Sequence, residues 1–116
     1  MSAESSNDPK PLAAASKTPL QLLPPHFMAC TAKALALGAR KYGAWNWRKS
    51  KVEAMTYVGA IRRHLDAWVD GEDNDSESNE SHLAHVAACI AILLDAGKQS
   101  TLADNRPNYS QSDNTR

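Results

Sequence analysis

The stretch MTYVGAIRRHLDAWVDG, residues 55–71, places Met55, Val58, Ile61, Leu65, Trp68 and Val69 three or four positions apart and then stops at Gly71. That spacing returns apolar side chains to one face of an α-helix. Arg62, Arg63, Asp66 and Asp70 fall on the opposite face, as a surface helix requires. Upstream, Pro24-Pro25 announces a second helical segment, because proline is tolerated in a helix's first turn. Phe27, Met28, Ala32, Leu35 and Ala36 follow, and Gly38 or Gly43 supplies the stop. Downstream, HLAHVAACIAILL, residues 82–94, buries Leu83, Val86, Ala87, Ile90, Leu93 and Leu94, with Ser78 or Asn79 as the expected cap and an end near Gly97. No stretch sustains strand alternation, so the fold class reads as all-α with three main helices.

At 116 residues the chain has room for one small domain. Its expected bounds are residues 19–98. Residues 1–18, rich in Ser, Ala, Pro and Lys, and residues 99–116, rich in Asn, Ser, Asp and Thr, read as disordered or loosely attached tails. The 42% hydrophobic content and the mean hydropathy of −0.50 fit a real core carrying polar ends. Three amphipathic helices in about eighty residues make a thin core, so a homo-oligomer, dimer or tetramer, is expected.

Thirteen Lys and Arg balance thirteen Asp and Glu, which removes the case for stable nucleic-acid binding by excess positive charge. The longest uncharged apolar run, His82 to Leu94, is shorter than the roughly 20 residues that span a bilayer, so no membrane partner is expected. The start MSAESSNDPK carries Glu4 and Asp8 where a signal peptide would be basic and then apolar. Cys30 and Cys89 lack any paired spacing. The chain therefore reads as cytoplasmic.

Charge that cancels over the whole chain is segregated within it. Arg40, Lys41, Arg48, Lys49 and Lys51 gather around the first interhelical loop, and Asp70, Glu72, Asp73, Asp75, Glu77 and Glu80 around the second. Both could simply be solvated. The acidic run, however, leads straight into His82 and His85, three apart and so on one helical face. Oxygen ligands at Glu72 and Asp75 favour Mg2+ or Mn2+, and imidazole tilts the choice towards Mn2+ or another transition metal. The basic loop interleaves its cations with Tyr42, Trp45, Asn46 and Trp47, a combination that suits bases and phosphates as well as it suits an aromatic anchor on the core. A phosphate clamp facing a divalent-metal cluster is what phosphoanhydride chemistry needs.

Four blocks in order, PLQLLPP, ALxxGARKYGxxNWR, RHLxAWxxGEDxDxES and HLAHxAAC, resemble the small phage-type dATP/dGTP diphosphohydrolase domain, grouped with the MazG-like all-α NTP pyrophosphatases. The resemblance covers Pro19 to Leu94. It implies hydrolysis of a purine deoxynucleoside triphosphate between its α and β phosphates, giving monophosphate and pyrophosphate and reshaping a phage's nucleotide pool. Its motif positions fall on Lys41, Tyr42, Gly43, Asn46, Trp47 and Arg48, on Arg63 and His64, on Glu72, Asp75 and Glu77, and on His82 and His85. The carboxylates run Glu72-x-x-Asp75 then Glu77-x-x-Glu80, an order that differs from the broader MazG-like pattern. Asn79 stands where the phage-type domain has Gly, and Asn tolerates the left-handed conformation.

The resulting assignment gives Glu72, Asp75 and His82 the metal, with Glu72, Glu77 and His85 as catalytic groups. Lys41, Arg48 and Arg63 stabilise phosphates, Asn46 and Trp47 contact base or sugar, and Tyr42 and His64 complete the substrate contacts. The rival reading is a non-catalytic helical module that senses nucleotides or docks on a replication protein.

Overall fold

A computed structural model describes residues 9–107. Five α-helices dominate it: α1 (Lys10–Ala15), α2 (Pro25–Tyr42), α3 (Asn46–Lys49), α4 (Ala54–Val69) and α5 (His82–Gln99), with a 3-10 turn at Leu20–Leu22. The three long helices are those the apolar spacing predicts. Pro24 stands extended as the N-cap and Pro25 enters the first turn of α2. The helix passes through Gly38 and ends at Gly43, whose φ of 90° reverses the chain. Gly71, at φ 101°, does the same after α4.

The start of α5 differs from expectation. Its cap is Ser81, whose Oγ accepts from the Leu83 N–H at 3.1 Å. Ser78 and Asn79 belong to the preceding turn, where Asn79 takes the left-handed φ of 61° that the sequence comparison with glycine anticipated.

Two short helices escape the apolar pattern. α1 lies within the N-terminal segment expected to be loose, and its Leu12 is exposed; α3 lies within the basic loop. The C-terminal segment also does more than trail away. β1 (Val52–Glu53) and β2 (Leu102–Ala103) pair in parallel, Val52 opposite Leu102 and Glu53 opposite Ala103. The Met55 N–H at the start of α4 then donates to Asn105 Oδ1 at 2.9 Å. Glu53, the local N-cap, makes no side-chain cap bond, so the cap comes from fifty residues downstream. Such caps contribute about 1 kcal/mol. The domain's ordered chain thus runs beyond residue 98. Residues 1–8 and 108–116 of the two expected tails lie outside the described residues.

α5 packs on α2 at one side and α4 at another. Ala34, Ala84 and Ala88 are buried where α2 meets α5, and Cys30 and Leu35 pack against them. Alanine at the crossing lets the two backbones approach closely. Among the described residues no buried apolar side chain is larger than valine. On α5, Leu83, Ile90 and Leu94 sit seven and four residues apart on one face, and Leu94 is 72% exposed.

Candidate active site

The long loop after Gly71 folds back to start α5 beside α4, and its backbone explains how. The Glu72 N–H donates to the Ala67 carbonyl, the His82 N–H to the Asp73 carbonyl, and the Asp75 N–H to the Glu80 carbonyl at 2.8 Å. Within this turn Asp75 Oδ2 accepts from the Ser78 N–H at 2.9 Å and from the Glu77 N–H at 3.2 Å. The carboxylate is therefore fixed by backbone donors rather than by a long flexible partner. Burial pushes its pKa up, but the bonds from Ser78 and the nearby His85 and His64 outweigh burial and hold it below the usual carboxylate range.

His64 of α4 and His82 and His85 of α5 converge above this turn. The three-residue spacing on α5 puts His82 and His85 on the side facing His64. The His64 and His85 rings stack at 4.4 Å and 8°, and His82 lies tilted at 5.1 Å from His64. Nδ1 of His64 and Nδ1 of His82 are 2.8 Å apart, and His82 Nε2 is 2.6 Å from Glu72 Oε1. These partners fix the protons. A carboxylate only accepts, so His82 Nε2–H donates to Glu72, and the Nδ1 atoms of His82 and His64 share one proton between them. His82 is 3% exposed, so the orientation is set by burial as well. Burial, with His85 beside it, holds the His64 pKa below the usual histidine range against the opposing pull of Asp75.

One ligand atom each from His64, Asp75 and His82 lies within 4.8 Å of the others. Two imidazole nitrogens and one carboxylate oxygen form a donor set that fits Mn2+ or a later transition ion better than Mg2+. Binding by both Nδ1 atoms requires release of the proton they share. This set keeps Asp75 and His82 from the sequence assignment and replaces Glu72 with His64. The Glu72 carboxylate, 55% exposed, is taken up by His82 Nε2, the position from which a carboxylate would orient that ring if it held an ion.

Beside the cluster opens a cleft of about 660 Å³, within the roughly 300–1,000 Å³ that small-molecule sites occupy. His64, Asp75, Glu77, Ser78 and His85 line one part of it. Tyr57 and Ile92, each seven residues along its helix from His64 or His85, line another part, about 10 Å away at 1.5 Å per residue. Lys41, Tyr42, Asn46 and Trp47 also reach the wall. Burial, followed by the neighbouring Cys89 and Tyr42, raises the Tyr57 pKa, and burial raises that of Cys89, so this part of the wall is uncharged at neutral pH.

Two expected phosphate contacts are placed elsewhere. Arg48 donates from Nε to Asp95 Oδ2 at 2.7 Å and from an Nη to Oδ1 at 2.9 Å, and its guanidinium lies 4.3 Å over the Trp45 ring. It is an anchor of the basic loop, because a bidentate carboxylate pair satisfies the fork that a phosphate would otherwise take. Arg63 is absent from the cleft wall; its Nη1 lies 3.3 Å from where a Cβ on Gly59 would stand. Trp45, before α3, holds a left-handed φ of 61°, a conformation that costs a non-glycine residue about 1–3 kcal/mol and is kept only where its surroundings enforce it.

Ser78, Tyr57, Cys89 and Asp95 carry no site role in the sequence reading. Ser78 Oγ is 2.8 Å from His85 Nε2 and also accepts from the Glu80 N–H. The hydroxyl keeps a second lone pair and also bonds the Asp75 carboxylate, so the direction of its bond to His85 follows the tautomer of that ring. Ser78 and Cys89 stand within the motif blocks, and Asp95 is a lone carboxylate in an otherwise apolar helical run.

A family model described as dATP/dGTP diphosphohydrolase, N-terminal, matches residues 7–106. A protein of Salmonella phage PMBT28 named dATP/dGTP diphosphohydrolase is 34% identical over 91 residues, which cover 78% of this chain and 29% of that protein. The chain thus spans less than a third of the length of that relative. No solved structure matches.

Proposed function

Because the chain belongs to the dATP/dGTP diphosphohydrolase N-terminal family, we propose that it hydrolyses dATP or dGTP to the monophosphate and pyrophosphate. The observation that carries this reading is one cleft lined by His64 and Asp75 of the cluster at one part and by aromatic side chains at another. The purine sits against Tyr42, Trp47 and Tyr57, where aromatic faces stack on bases. Asn46 reaches its edge or the sugar, and Lys41 reaches the phosphates. The triphosphate extends towards the turn, where Asp75 and Glu77 would repel it without a cation. His64, Asp75 and His82 would hold that divalent ion, Mn2+ or Mg2+, which supplies charge neutralisation and a more acidic water when bound.

Attack of water on the α-phosphorus forms one P–O bond and breaks that to the bridging oxygen, releasing pyrophosphate. The proton leaving the water passes to Glu77, whose carboxylate lines the cleft, or to His85. Residues 19–98 form the hydrolase domain, with the chain to residue 107 completing its α4 end. Removal of purine deoxynucleotides in the host cytoplasm would adjust the pool for phage DNA synthesis. Among the described residues no helix is long and apolar enough to cross a membrane.

Purified protein incubated with each of the eight common nucleoside and deoxynucleoside triphosphates, in Mg2+, Mn2+ or EDTA, is expected to yield monophosphate and pyrophosphate from the purine deoxynucleotides. EDTA is expected to stop the reaction. Bound but intact triphosphates under every condition would leave a non-catalytic nucleotide-binding module instead.

The domain also works as a homo-oligomer in this reading, covering the face of Leu83, Ile90 and Leu94 that neither α2 nor α4 covers. Light scattering is expected to give a dimer or tetramer, and Ile90→Glu to lower the mass to the monomer's. A monomeric wild-type protein sinks this part.

A further inference from the structure

Trp47 and Arg48 are neighbours in sequence, and both turn to the same carboxylate. Trp47 Nε1–H donates to Asp95 Oδ2 at 2.6 Å, and Arg48 takes both oxygens at 2.7 and 2.9 Å. These bonds, Arg48 first and Trp47 next, lower the Asp95 pKa to about 2, so the acceptor is charged throughout the working range. The partners are separated by 47 and 48 positions, which makes Asp95 the tie between the basic loop and α5. Trp47 also stands between two hollows. It lines the cleft described above, and it lines a smaller hollow with Trp45, Arg48, Ala91 and Asp95. Its ring is therefore a partition, and a partition holds its place only if its polar edge is fixed. The indole has a single N–H donor, and Asp95 takes it.

We propose that Asp95 is a positioning residue for the nucleotide. It holds the Trp47 ring as a wall of the cleft and takes up the Arg48 guanidinium that would otherwise be free for phosphate. Asp95 touches neither the His64–Asp75–His82 cluster nor the reacting atoms. Its loss therefore weakens binding of the nucleotide throughout the reaction without altering the chemical step, which appears as a raised KM at constant kcat. The kinetic half of this inference rests on the proposed hydrolysis; the placement of Trp47 does not.

Two readouts separate those halves. In a background with Trp45→Phe and Trp68→Phe, Trp47 is the sole indole. Asp95→Ala is expected there to shift its emission to the red and to increase quenching by acrylamide, with the far-ultraviolet dichroism retained. In the otherwise native background, Asp95→Ala is expected to raise KM for the purine deoxynucleotide about tenfold with kcat held within about twofold. Asp95→Asn keeps the Oδ that both Trp47 and Arg48 Nε use and loses only the second oxygen, so it is expected to recover most of the KM, to about threefold of native.

The pair Arg48→Ala and Asp95→Ala completes the test. If Arg48 acts only through Asp95, the double variant has the KM of the worse single variant; if Arg48 grips phosphate itself, the two effects multiply. Multiplying effects, or unchanged Trp47 emission and quenching in Asp95→Ala, overturn the proposal. A native protein that hydrolyses nothing defeats the proposed function while the fluorescence still decides whether Asp95 places Trp47.

Discussion

Asp75→Asn is expected to reduce turnover about 10³-fold, equivalent to about 4 kcal/mol at 1.36 kcal/mol per decade. The substitution is chosen because it spares the turn. An asparagine oxygen can still accept from the Ser78 and Glu77 N–H groups that now bond Oδ2, so the loop between α4 and α5 keeps its shape. What disappears is the negative charge between the two imidazoles, the only anionic member of the His64–Asp75–His82 set. A neutral amide oxygen beside two neutral nitrogens is a poor site for a hard divalent cation. Mn2+ is expected to raise the melting temperature of the native protein, by an amount that grows with the logarithm of metal concentration over Kd, and to leave that of the variant unchanged. Circular dichroism should be unchanged. An Asp75→Asn protein with native turnover and native response to Mn2+ would remove Asp75 from the metal and would leave the cluster as a hydrogen-bonded core of the hairpin.

The parts of this site that were legible in sequence are those set by helical repetition or by a single backbone conformation. His82 and His85 three apart share a face, and Asn79 in a glycine's place can turn left-handed; the structure shows both. The three long helices follow for the same reason, since an apolar repeat over sixteen or eighteen residues admits little else. The two-residue strands and the four-residue α3 are too short to carry any period.

For His64, Glu72 and Arg48 the structure adds contacts between elements that the sequence does not display. On its own helix His64 neighbours Arg63 and reads as a substrate contact; only the return of the chain through the Asp73–His82 and Asp75–Glu80 backbone bonds brings it to 2.8 Å from His82. Glu72 and Asp75 are equivalent as letters in an acidic run. In the fold one carboxylate is pinned by backbone N–H groups and faces the cleft, and the other is pinned by an imidazole. Arg48 looked like a phosphate grip because its carboxylate lies 47 residues away.

Glu72→Gln distinguishes the two readings of that residue by experiment. Were Glu72 a metal ligand, as the sequence alone suggests, its amide would abolish turnover at any metal concentration. In the structure its Oε1 receives the Nε2–H of a nearly buried His82, and this bond leaves the His82 Nδ1 lone pair facing His64. Glutamine can still accept that proton, but without charge, so the imidazole becomes less basic and its tautomer less firmly held. Removing an outer-sphere partner of this kind weakens metal binding about 10- to 100-fold. The expected result is a rise of that size in the Mn2+ concentration giving half-maximal rate, with kcat at saturating Mn2+ within about threefold of native. Glu72→Ala, which offers no acceptor at all, should move the half-maximal concentration further in the same direction while saturating metal still restores the rate. If neither variant recovers at high Mn2+, Glu72 binds the ion directly, and the bond to His82 is then one that the ion replaces when it arrives.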